Sequence, residues 1–189
     1  MDISTKEELK KILRFEKRMY IGERGFKSLL FDTYIVNDES VLVYKFLKML
    51  RVLNYYHSKK SSSKWYKFLY YCEKRRKNKL GQKLGLNIGE FTFDEGLFIP
   101  HINDIVVNGE AKVGKNCILH GCNCIGRDGK STDSPIIGDN VDIGFGASVL
   151  GGIQLGNNIK IGAGAVVTKS CLEDGVTLIG VPARIKNNR

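Results

Sequence analysis

No stretch of this 189-residue chain holds eighteen apolar residues in a row, so no segment reads as a helical membrane span. The opening residues, MDISTKEELKKILRF, are dominated by polar and charged side chains. A secretory signal is therefore not expected. There is no GxSxG, no Walker A loop and no GxGxxG, which removes the sequence grounds for serine-hydrolase and nucleotide-hydrolase chemistry. Cysteine is scarce and wrongly spaced for zinc: of the five, Cys122 and Cys124 form CxC, and no second pair stands at ligand spacing. A reduced, cytoplasmic protein that uses no metal is the expectation. Histidine is limited to His57, His101 and His120.

Charge is plentiful but lopsided. The formal net charge is +10, and the first 83 residues carry 21 Lys/Arg against 9 Asp/Glu. The remainder is close to balanced. Such a surplus suits an anionic membrane face or an anionic acceptor. Nucleic acid is not expected as a partner, because no recognition motif accompanies the charge.

From Val107 onward the sequence keeps a strict beat. Aliphatic residues stand at Val107, Val113, Leu119 and Ile125, then at Ile137, Ile143, Val149, Leu155, Ile161 and Val167. Each interval is six residues, or twelve across one gap, and glycine follows directly in six of these ten cases. Neither a helix nor a lone strand has that period. Fixed self-similarity of this kind marks a solenoid, here of three hexads per coil. Counting by eighteen sorts the side chains into three inward columns: Val107, Ile125, Ile143 and Ile161; Val113, Val149 and Val167; Leu119, Ile137 and Leu155. Small or apolar residues such as Ala111, Cys117 and Ala147 stand two places earlier, and the glycines serve the corners. The fold class is thus mainly β, a parallel β-helix over residues 85–189 preceded by a helical domain over residues 1–84.

Within the helical domain, residues 4–20 read as a helix capped by Ser4 or Thr5, residues 38–56 as a second capped by Asp38, and residues 64–79 as a third. Lys45, Lys48 and Arg51 recur on one face of the second. The third mixes Trp65, Tyr66 and Phe68 with Lys64 and Lys67. This basic, aromatic unit reads either as a cap on the open end of the solenoid or as a peripheral anchor to an anionic membrane or glycan. Residues 85–106 form a loosely wound first coil with Ile88, Phe93, Leu97, Ile99 and Ile105. Residues 127–134, RDGKSTDS, interrupt the beat as a polar loop, the kind of excursion that carries function. The tail GVTLIGVPARIKNNR reads as a final strand with a basic end.

Candidate chemistry narrows to imidazole. His57 stands beside Lys59 and Lys60 and reads as solvent-exposed. By strict phase His101 falls in the Leu119 column, which points it inward; Pro100 and the broken beat argue instead for an exposed ring. His120 follows Leu119 in a slot elsewhere given to glycine, one coil from His101. It is a second candidate base, or a neighbour acting on His101 by charge repulsion. A neutral imidazole on a rigid scaffold suits a general base working on a hydroxyl.

The hexads, with IIGDNVDIGFGASVLGGIQLGNNIKIGAGAVVTKS and the closing GVPARI, resemble the left-handed β-helix acyltransferases of the hexapeptide-repeat family, in its serine acetyltransferase branch. The resemblance spans residues 85–186. It implies a left-handed prism, a homotrimer with active sites between subunits, and acetyl-CoA as acyl donor. Through PHINDIVVN it implies His101 as the base, with Asn87 in the place of an orienting aspartate and Asp94 or Asp104 as substitutes. Arg127, Phe145 and Ala163 correspond to the backbone positions that line the acetyl-CoA arm, and Lys169, Arg184 and Lys130 to phosphate partners. The serine branch carries an aspartate before the base and a second histidine in the loop, where this chain has Pro100 and Ser134. The short basic front resembles instead the bacterial enzymes that acetylate capsule or lipopolysaccharide sugars. The resemblance therefore implies O-acetylation of a polysaccharide hydroxyl, on an anionic or lipid-linked acceptor, at the inner face of the membrane. The alternatives are serine O-acetylation for cysteine synthesis and a non-catalytic trimeric scaffold.

Overall fold

Hexads fold as short strands separated by turns, because each aliphatic must point inward while its neighbours face solvent. The computed structural model describes residues 1–130 and 132–186, apart from the side chain of Phe26. Ser131 in the polar loop and the last three residues of the tail lie outside the described residues. The chain divides into two compact units that meet between Leu84 and Gly85 in sequence.

The second unit is a three-sided parallel β-helix, with strands numbered in chain order. Face A stacks β1 (Leu86–Ile88), β2 (Ile105–Val107), β5 (Cys124–Gly126), β8 (Ser148–Leu150) and β11 (Val166–Val167). Face B stacks β3 (Lys112–Val113), β6 (Ile136–Ile137) and β9 (Gln154–Leu155). Face C stacks β4 (Ile118–Leu119), β7 (Asp142–Ile143), β10 (Lys160–Ile161) and β12 (Thr177–Gly180). There β13 (Ala183–Ile185) folds back antiparallel on β12, so the tail supplies two strands rather than one.

The inward columns differ from those obtained by counting eighteen. Val107 and Ile125 are followed on face A by Val149 and Val167; Val113 by Ile137 and Leu155 on face B; Leu119 by Ile143 and Ile161 on face C. Between Ile125 and Ile137 the chain takes a single step from face A to face B, using twelve residues where other steps use six. The surplus leaves the prism as the polar loop, and one coil lengthens from 18 to 24 residues. Register follows the stacked aliphatics, each worth about 1.5–3 kcal/mol of burial, and not the residue count.

Ten aliphatics and their corner partners Ala111, Cys117, Val141, Ala147, Ile159 and Ala165 are buried. The corner between faces B and C is tied by a ladder in which Asn116 donates to Asn140 at 3.0 Å and Asn140 to Asn158 at 3.1 Å. All three have φ of 55–56°, a conformation asparagine tolerates better than most residues. Burial pushes the Cys117 thiol well up, and the negative charge of Asp142 adds to this. Iodoacetamide is therefore expected to label exposed Cys122 in the folded protein and leave Cys117 unmodified, as read by peptide mass spectrometry. Equal labelling would mean that the coils open.

The first unit has four α-helices. In α1 (Lys6–Ile21), Thr5 accepts from the Glu8 N–H at 3.1 Å while the Glu8 carboxylate accepts from the Ser4 N–H at 3.1 Å, a reciprocal cap. The short α2 (Phe26–Phe31), which runs into a π-helical turn at Asp32–Val36, has no counterpart in the periodicity reading. Arg24 holds this segment in place by bonding Asp32 and Asp38, both at 3.1 Å. Asp38 also caps α3 (Glu39–Lys59), and α4 (Lys64–Leu84) runs five residues past the boundary expected at Lys79. Arg51 is no part of a solvent-facing basic row. Its guanidinium is fully buried against Glu16, itself fully buried, at 2.7 Å.

Candidate active site

Where face C turns into face A, the first coil is longer than the one above it. Phe98 aligns with Ile118 and Val106 with Cys124, so eight residue steps in the first coil match six in the next. Ile99 fills the core at 1% exposure, and the Asn103 carbonyl accepts from the Cys122 N–H at 2.7 Å, closing the turn. The surplus bends outward at Pro100 and His101. His101 is therefore exposed, because Ile99 occupies the inward place that strict phase gives to the histidine. Among the described residues its ring has no hydrogen-bond partner.

Above this bulge the same edge continues upward. The Gly146 N–H donates to the Gly121 carbonyl at 2.9 Å, and the Gly164 N–H to the Phe145 carbonyl at 2.8 Å. Gly121, Phe145 and Ala163 thus stack one above another, about 4.8 Å per coil. The Phe145 ring lies across Gly121, where a Cβ would meet ring carbons at 3.2 Å. The amides of Phe145 and Ala163 donate to no group among the described residues. Arg127 does not belong to this stack, contrary to counting by eighteen; the lengthened coil puts Gly121 there instead. Arg127 stands at the edge between faces A and B, in an ion pair with Glu110.

His120 shares the His101 edge, but its Nε2 is 2.8 Å from Asp142 Oδ1 on the coil above. Asn87 is exposed on β1, paired with Val106, and no hydrogen bond joins it to His101 among the described residues. Asp94 follows Phe93, which bridges to face B, while Asp104 packs over Gly85. A residue that periodicity missed is Asn123. It is 1% exposed, accepts from the Gly121 N–H at 2.9 Å, and donates to the carbonyls of Gly144 at 2.8 Å and Ala147 at 3.2 Å. It ties the turn below Phe145 to the one above. Its signal is an amide in a slot elsewhere held by alanine, cysteine, proline, valine or isoleucine.

The polar loop lies at the edge between faces A and B. Ser134 donates to Asn108 Oδ1 at 3.1 Å, and Asp128 accepts from the Lys130 N–H at 2.9 Å. Asp133 lies so close over Gly152 that a Cβ there would come within 2.5 Å of the Asp133 Cβ. Loop residues Thr132 and Asp133, together with Lys112, Ile136 and Gln154 of face B, line a cleft of about 720 Å³. Exposed Lys169 follows β11 at this second edge, whereas exposed Arg184 is on β13 of face C. Within one chain the proposed donor contacts are therefore split. Phe145 and Ala163 share the His101 edge; Arg127, Lys130 and Lys169 do not.

The model of the family described as "Hexapeptide repeat of succinyl-transferase" matches residues 136–169. A serine acetyltransferase of Buchnera aphidicola subsp. Acyrthosiphon pisum is 31% identical over 195 residues of alignment, covering 87% of this chain and 68% of the relative. The chain belongs to the serine acetyltransferase branch of the hexapeptide-repeat acyltransferases. A serine acetyltransferase of Synechococcus elongatus is 39% identical over 93 residues, 48% of this chain and 38% of the relative. The chain spans 38% of the Synechococcus relative and 35% of a second serine acetyltransferase, from Buchnera aphidicola subsp. Schizaphis graminum. Soybean serine acetyltransferase complexed with serine superposes with a TM-score of 0.69 at 25% identity, over 94% of this chain and 69% of that one. The Brucella abortus enzyme in complex with coenzyme A gives 0.65 at 27% identity, over 95% and 68%. The prism of this chain is accordingly a left-handed parallel β-helix.

Proposed function

We propose that this protein transfers the acetyl group of acetyl-CoA to a hydroxyl, with His101 as general base. The observation that carries the reading is the outward bulge of His101 on the edge that stacks Phe145 and Ala163, whose amides have no acceptor among the described residues. Those amides suit the amide-rich arm of the donor, and Lys130, Lys169 and Arg184 suit its phosphates. His101 takes the acceptor's hydroxyl proton as the oxygen attacks the thioester carbonyl. The carbon–sulfur bond breaks, and the proton passes to the departing thiolate. His120, held by Asp142, is the second group within reach of the acceptor. The active form is a homotrimer, in which the edge bearing Arg127, Lys130 and Lys169 of one subunit faces the His101 edge of the next.

Serine is the acceptor that the relatives support best. A sugar hydroxyl of a surface polysaccharide is the second reading. It is favoured by Pro100, which leaves no carboxylate directly before the base for an amino acid's ammonium, and by the cationic first unit. The deciding measurement is thiol release from acetyl-CoA with L-serine and with a panel of nucleotide sugars and oligosaccharides. L-Serine is expected to give a kcat/KM at least about tenfold above any sugar. The reverse order would replace serine by the sugar reading, and no release with either class would overturn both.

A further inference from the structure

Helix α4 presents a surface that neither the proposed acetyl-transfer site nor its own core employs. Its inner side gives Tyr70, Glu73, Lys77, Gly81 and Leu84 to the interior. On the opposite side Trp65, Phe68 and Tyr71 recur every three residues at 63%, 57% and 58% exposure. The Trp65 and Phe68 rings stack on each other, with centroids 5.6 Å apart and planes 27° from parallel. Beyond Tyr71 the outward positions turn basic. Exposed Arg75 and Lys79 follow at four-residue spacing, and both line a shallow groove with Tyr71, Asn78 and Gln82. Exposed Lys64 and Lys67 flank the rings. The helix holds eight Lys/Arg against Glu73 alone, and that carboxylate bonds Arg76 at 2.9 Å.

One exposed aromatic ring is unremarkable in a protein surface. Three at one-turn spacing, continued by cations along the same helix, match a helix lying in a bilayer interface. There aromatic rings sit at headgroup level, and Lys and Arg meet anionic phosphates. A second copy of this face is a poor occupant, because two such helices would oppose their cations. A base-stacking partner is a poor one too, since Trp65 and Phe68 already cover each other.

We infer that the first unit docks on the surface of an anionic phospholipid bilayer through α4, with Trp65, Phe68 and Tyr71 entering the interface and Arg75 and Lys79 on the headgroups. This goes beyond the acetyl-transfer reading and holds for either acceptor.

Trp65 is the sole tryptophan, so the full-length protein carries its own reporter. It is titrated with vesicles of phosphatidylcholine alone, or containing about 30 mol % phosphatidylglycerol. Anionic vesicles are expected to pellet the protein and blue-shift its fluorescence, with binding falling several-fold at about 0.5 M NaCl. Phosphatidylcholine alone is expected to do neither. The variants F68S/Y71S and R75E/K79E change only exposed positions. Each is expected to lower the partition constant at least about tenfold, with circular dichroism and melting unchanged. Equal pelleting on both vesicles, absence of pelleting, or variants that bind like the parent would overturn the inference. So would two other results: pelleting abolished by a soluble anionic polysaccharide with no fluorescence shift, which marks a glycan surface, or variants that alter only the oligomer mass, which marks a subunit contact.

Discussion

His101→Ala is expected to lower kcat/KM for acetyl transfer by about 10²–10⁴-fold, the usual contribution of a positioned general base. That corresponds to about 3–5 kcal/mol of lost transition-state stabilisation. The loss should fall on kcat, because the ring acts on a proton in flight and not on donor binding. Stability should be preserved. The imidazole is exposed on a bulge, and Ile99 fills the core beneath it. Initial rates of thiol release, with circular dichroism as the folding control, supply the measurement. His120→Ala is the informative companion. The His120 ring is tied to Asp142 at 2.8 Å, and a loss equal to that of His101→Ala would move the base to the His120–Asp142 pair. A His101→Ala enzyme within threefold of the parent would remove the assignment altogether.

The second large effect is one of stability, in the helical unit. Glu16→Ala leaves the Arg51 guanidinium in a fully buried place without its carboxylate. Breaking a buried pair from one side costs about 3–5 kcal/mol, because the remaining charge cannot be rehydrated without opening the core. The Glu16 charge is felt further off as well: burial, and after it this carboxylate, push the Tyr44 phenol above its usual range. Urea unfolding followed by helix circular dichroism is expected to shift accordingly. Glu16→Met combined with Arg51→Met should recover most of the loss, since an apolar pair of similar volume needs no hydration. A single substitution that shifts the transition by less than about 1 kcal/mol would show that Arg51 finds water in the folded state.

Much of this architecture can be read from side-chain pattern, and the misses have physical causes. Thr5 and Asp38 mark helix starts because a side-chain oxygen before an apolar run can satisfy the first free N–H groups. The segment Phe26–Val36 escapes periodicity because it is too short for an apolar face and is held by a distant cation, Arg24. Arg51 reads as a surface residue, since nothing local shows that Glu16, thirty-five positions away, will meet it in the core. At the candidate site, hexad counting fails twice for one reason. Strands align by filling the core, so two surplus residues at Pro100–His101 and six in the loop are expelled and the stacking carries on above them. The first expulsion exposes His101; the second separates Arg127 from Phe145 and Ala163. Asn123 and Asp142 act across coils, and spacing within one coil gives no hint of their partners.

The twelve-residue step at residues 125–137 decouples two properties that are entangled in most enzymes. Every rung above it hydrogen-bonds to the rung below and so ignores how far the chain wandered in between. Whatever chemistry the excursion confers is free to be rewritten in length and sequence while the order in which the rungs are piled stays as it was.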